Sequence, residues 1–70
     1  MPEVHVYLAA GRSEEQKRNL MREISEAVVR NTGASIDAVV VQIVESPLTD
    51  KMKGGVTFAD RRRQQQQQQQ

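Results

Sequence analysis

The chain has 70 residues, no cysteine, one histidine (His5), two aromatic residues and a formal net charge of +1. This bounds it to one small domain, excludes disulfides and thiolate metal sites, and argues against a histidine-based zinc site. Arginines 61–63 set the positive sign: residues 1–60 carry seven Lys/Arg against nine Asp/Glu, a balance of −2. With neither a basic face nor aromatic platforms, that body is not a general nucleic-acid binder.

Residues 2–9 alternate, with Val4, Val6 and Leu8 on one face and His5 and Tyr7 on the other, which predicts a strand. Gly11 punctuates it. Ser13 opens a helix through the capping box "SEEQ", with Glu14 and Glu15 placed where the helix dipole favours negative charge. Leu20, Ile24, Ala27 and Val28 recur at helical spacing opposite Arg18, Arg22, Glu23, Glu26 and Arg30, an amphipathic pattern that ends at Gly33 as a left-handed cap. Residues 39–44, "VVVQIV", read as a strand covered on both faces. Strand, helix and strand at this spacing predict an α/β fold with a βαβ unit and parallel strands.

One helix covers one face of a two-stranded sheet. The second apolar face and the short foldable length both call for further subunits. Beyond the second strand, "SPLTDKMKGGVTFAD" reads as a loop through Gly54-Gly55 and a short hairpin or edge strand at Val56–Phe58. The domain is therefore expected over 1–60. Residues 61–70, "RRRQQQQQQQ", read as a low-complexity, unstructured tail. No stretch reads as a signal peptide or membrane span, so a cytoplasmic protein with no membrane partner is expected.

Pro2 costs the first strand little, because a first-position proline loses no essential ladder bond. It also has a chemical reading. If Met1 is removed, Pro2 carries a free secondary amine, and a general base works best with a pKa near the ambient pH. An apolar pocket or a nearby cation depresses such an amine toward that range.

The signature P-x-x-x-x-Y-x-x-x-G-R-S-x-E-Q-K, followed by "ISEAV", a β-branched strand ending at Glu45 and "GG", resembles the 4-oxalocrotonate tautomerase (2-hydroxymuconate tautomerase) subgroup of the tautomerase superfamily. The resemblance covers residues 1 to about 60. It implies a βαβ protomer whose sheets join across subunits, in dimers or hexamers. It also implies a keto–enol tautomerase of aromatic degradation that needs no metal or organic cofactor. Pro2 is then the general base, moving a proton within an enol or unsaturated 2-oxo acid. Arg12 binds the substrate carboxylate; its planar fork suits bidentate recognition. The competing reading of Arg12 is a solvated loop arginine paired with Glu14 or Glu15.

One departure from the family pattern matters. Val40 stands where members carry a second arginine, and it can neither bind a carboxylate nor polarise a carbonyl. Lys51, at a position that is aromatic in the family, and Lys53 are candidates to replace that charge, against a reading of both as solvated loop lysines. Strand alternation turns Glu3 away from Pro2. His5 and Tyr7 read as a packed or interface pair before an acid–base pair, and Phe58 as a hydrophobic plug before a substrate-stacking ring. The alternative function is a catalytically weak tautomerase-fold subunit of a hetero-oligomer. A third reading, an interaction module working through the tail, predicts loss on deleting residues 61–70; assembly and activity are expected to survive.

Overall fold

The computed structural model describes residues 1–68. Strand β1 (Glu3–Ala9) is followed by helix α1 (Glu14–Thr32), a single 3-10 turn (Ile36–Ala38) and strand β2 (Val40–Ser46). A second 3-10 turn (Leu48–Asp50), a two-residue hairpin of β3 (Met52–Lys53) and β4 (Val56–Thr57), and helix α2 (Phe58–Gln68) complete the chain. β1 and β2 are parallel, with Val4 opposite Val41, Val6 opposite Ile43 and Leu8 opposite Glu45.

The expected helix start is made as the sequence spells it. The Gln16 amide donates to Ser13 Oγ at 3.1 Å, and the Ser13 amide donates to Gln16 Oε1 at 2.9 Å. Gly33, at φ 77°, closes the helix by donating its amide to the Val29 carbonyl. β2 runs from Val40 to Ser46 rather than over 39–44. Val39 is retained by the preceding turn, donating its amide to the Ile36 carbonyl, and the β1 ladder carries β2 on past Val44 to Ser46.

α1 covers the face carrying Val4, Val6, Leu8, Val41 and Ile43, and Lys17 of α1 reaches Glu45 at 2.7 Å. The other face is open: Glu3, His5 and Tyr7 are exposed, Tyr7 by 66%. Ala9 is the only apolar side chain that is closed off from solvent among the described residues. A protomer with half-buried valines and leucines and no sealed core has not completed its burial, as its size led us to expect.

Two expectations for the C-terminal region change. Phe58 is not in the edge strand but begins α2, and the hairpin is only Met52–Lys53 against Val56–Thr57. Its two-residue turn is Gly54-Gly55, both at positive φ (62° and 79°), the geometry that favours glycine at both centres of a tight hairpin. The tail expected to be unstructured is helical through Gln68; Gln69 and Gln70 lie outside the described residues. Arginine and glutamine are good helix formers, and a start is supplied: the Asp60 amide donates to Thr57 Oγ1 at 3.0 Å.

Candidate active site

The residues singled out by the sequence lie at the two ends of β1. Pro2, half-buried, immediately precedes the strand, and its carbonyl accepts a 2.9 Å hydrogen bond from the Val40 amide. The missing proline donor therefore costs nothing, because the ladder begins at its carbonyl. Met1 before it is 87% exposed. Glu3 is held at 2.5 Å by His5 Nε2, on the sheet face opposite that of Pro2.

At the other end, the ladder runs one residue past β1, with the Ala10 amide donating to Ser46, and Gly11 at φ 132° then turns the chain. Arg12 follows. Its Nη1 donates to the Ala9 carbonyl at 3.3 Å, which leaves most of its five donors uncommitted. Arg12 is exposed, as the loop reading has it, but the pairing that reading expects is not made. Glu14 is taken by Arg18 at 3.0 Å, and among the described residues no carboxylate pairs with Arg12.

Arg12 lines a cleft of about 670 Å³ between the end of β1, the Leu48–Asp50 turn and α2. Tyr7, Leu8, Leu48 and Phe58 supply its apolar walls, and Arg12, Lys51, Arg61 and Arg62 its charge. No aspartate or glutamate lines it. The arrangement suits a small organic anion: apolar side chains offer contact to the carbon skeleton, and guanidinium donors meet a carboxylate. Among the described residues no three His, Asp or Glu side chains come together to hold a metal.

Lys51 joins Arg12 in the cleft; Lys53 does not. It lies on the hairpin, where its carbonyl accepts a 2.7 Å hydrogen bond from Arg61 Nη2. Phe58 forms part of the wall. Arg61 and Arg62 were not found by sequence reasoning, which had assigned them to the tail. The signal was present: Phe58, Arg61, Arg62 and Gln65 fall at i, i+3, i+4 and i+7, one face of a helix, and all four line the cleft. Asp60, on another face, sits against Arg63, whose hydrogen bond and charge hold its carboxyl below the usual aspartate range.

Pro2 does not reach this cleft. Six residue steps of strand separate Glu3 from Ala9, about 20 Å at strand rise. One protomer does not bring Pro2 and Arg12 together.

The parallel βαβ unit with its short hairpin and one uncovered sheet face defines a tautomerase-type protomer. The chain belongs to the tautomerase family: the "Tautomerase enzyme" family model matches residues 2–61. A Bradyrhizobium diazoefficiens protein named "Probable tautomerase" is 56% identical over 61 residues, covering 87% of this chain and 91% of that one. The 2-hydroxymuconate tautomerase of Pseudomonas putida is 49% identical over 47 residues, covering 67% and 75%. The heterohexamer 4-oxalocrotonate tautomerase of Chloroflexus aurantiacus superposes with a TM-score of 0.80 at 32% identity, covering 86% of this chain and 97% of that one. The family match ends at Arg61, so it takes in the start of α2, Phe58–Arg61, and the rest of that helix lies beyond it.

Proposed function

We propose that this chain is a cofactor-independent keto–enol tautomerase in which the amine of Pro2, freed by removal of Met1, is the general base and Arg12 anchors a substrate carboxylate. The unprotonated nitrogen takes a proton from one position of an enol or unsaturated 2-oxo acid and returns it to a carbon. The arginine offsets the charge that develops on oxygen meanwhile. Positioned proton transfer of this kind contributes about 10²–10⁴-fold.

The cleft carries this reading, because it presents Arg12 with no competing carboxylate. Pro2 lies at the far end of β1, so the working pair joins Pro2 of one copy to Arg12 of another. That requirement accords with the uncovered sheet face, and a homo-oligomer, dimer or hexamer, follows. The test combines intact mass, to establish that Met1 is absent, with ketonisation of simple enols by the wild type, Pro2→Ala and Arg12→Ala. Loss of turnover in Pro2→Ala supports the reading. Undiminished turnover, or a mature protein that begins with Met1, overturns it.

A second reading rests on Val40. The chain lacks the second arginine of the family pattern, and one structural relative is a heterohexamer. In that reading a paralogous subunit supplies the arginine, and the purified chain alone is nearly inactive.

A further inference from the structure

The C-terminal helix begins inside the family match and runs past it from Arg62 on, and it forms a wall of the Arg12 cleft. Its three consecutive arginines have separate surroundings. Arg63 is engaged by Asp60, away from the cleft. Arg61 donates Nη2 to the Lys53 carbonyl at 2.7 Å and passes over the hairpin turn, 3.5 Å from where a side chain on Gly54 would begin. It ties helix to hairpin. Arg62 faces the cleft on the same stripe as Phe58 and Gln65 and, among the described residues, has no hydrogen-bond or ion-pair partner. Arg12 and Lys51 stand in the same cleft, also without a carboxylate.

Like charges gathered around one cavity repel, and the one acidic residue of α2 is turned to Arg63 instead of relieving them. The arrangement is relieved when an anion enters. A substrate with one carboxylate satisfies Arg12 and leaves the cations of the opposite wall unmatched.

We propose that Arg62, supported by Lys51, is a specificity-determining residue that binds a second, distal carboxylate of the substrate, so that this chain recognises an unsaturated dicarboxylate although Val40 replaces the strand arginine. Arg61 is a positioning residue that fixes α2 against the hairpin so that Arg62 faces inward. This inference rests on the reading of Arg12 as the anchor of the first carboxylate.

The test is direct binding to the intact oligomer, which needs no turnover and so fails or succeeds separately from the Pro2 assay. Calorimetric titrations use two six-carbon dienes, muconate with two carboxylates and sorbate with one. The wild type is expected to bind muconate more tightly than sorbate. Arg62→Gln should weaken muconate about tenfold, the size of one lost charge-assisted hydrogen bond, and leave sorbate unchanged. Arg62→Lys should retain part of the preference, and Arg63→Gln should leave both affinities as they were. Equal affinity of the wild type for the two ligands, no binding of either, or an Arg62→Gln variant that keeps its preference for muconate overturns the proposal. Far-ultraviolet circular dichroism of each variant checks that α2 is intact. Should Arg62→Gln lose the helix, the lysine variant decides: a preference equal to that of the wild type overturns the proposal, and a reduced one supports it.

Discussion

The carbonyl of Pro2 accepts a hydrogen bond from the amide of Val40 at 2.9 Å. Pro2 is thereby stapled to Val40, the first residue of β2. Pro2→Ala, processed to a primary amine on a less constrained backbone, should lose about 10²–10⁴-fold in kcat/KM for a simple enol. The oligomer should remain intact, because the Val40 bond uses a carbonyl that alanine also has. Steady-state kinetics beside sedimentation separates the two effects.

Arg12→Ala should act differently. Its guanidinium is available to a ligand, held only by the Ala9 carbonyl. Losing it should raise KM about tenfold or more, the scale of one charge-assisted hydrogen bond, with a further fall in kcat only to the extent that the arginine meets charge developing in the transition state. A rise in KM with kcat unchanged would assign Arg12 to uniform binding.

Ser13→Ala removes the acceptor for the Gln16 amide and undoes the reciprocal bond. An N-cap of this kind is worth about 1 kcal/mol, so the chemical-denaturation midpoint should fall accordingly. Protomer concentration must be held fixed, because subunit association contributes to the stability read. Lys17→Met breaks the half-exposed bridge to Glu45 between α1 and β2. It should cost no more than about 1 kcal/mol, and the loss should shrink as salt is added.

The elements with their own periodicity were legible from residues alone. Val4, Val6 and Leu8 alternate, Leu20, Ile24 and Val28 follow a helix, and Ser13 and Gly33 mark its ends where the structure has them. The parallel pairing followed from the spacing between the two strands. The C-terminal region was read less well, for a physical reason. Arg and Gln bury nothing, so no apolar period announces α2; its start depends on Thr57 and on Phe58 packing into a cleft built by residues far away in sequence. The sequence offered candidate site residues but not where the fold puts them. Pro2 and Arg12 belong to one short signature, and the straightness of the strand between them sends them to opposite ends.

Asp60 makes the start of α2 sensitive to acid. Its carboxyl is held below the ordinary range first by the hydrogen bond from Arg63, then by the charge of Arg63 and by Thr57. A lowered folded-state pKa means that the ionised carboxylate supports the helix above the unfolded value. That support is lost as pH falls through the lowered folded value. Helical signal from α2 should therefore drop on acidification below the usual aspartate range. Asp60→Asn should show a weaker helix at neutral pH and little further change on acidification, read by hydrogen exchange of the amides of residues 59–66.

Deleting residues 61–70 brings the two ends of the argument together. Sequence alone predicted that assembly and activity survive. The βαβ unit makes its own contacts through the β1–β2 ladder, the α1 face and the Lys17–Glu45 bridge, none of which uses a residue beyond 60. Assembly should therefore persist, and sedimentation should report the wild-type oligomer. The hairpin, however, loses the Arg61 bond to the Lys53 carbonyl, and the cleft loses Arg62. Amides of residues 52–57 should exchange faster. Turnover of a monocarboxylate enol should be kept, while any advantage of a dicarboxylate over it should disappear. A truncated protein that still prefers the dicarboxylate would return the second cation to Lys51 alone, since Lys51 would then be the one cleft cation left besides Arg12.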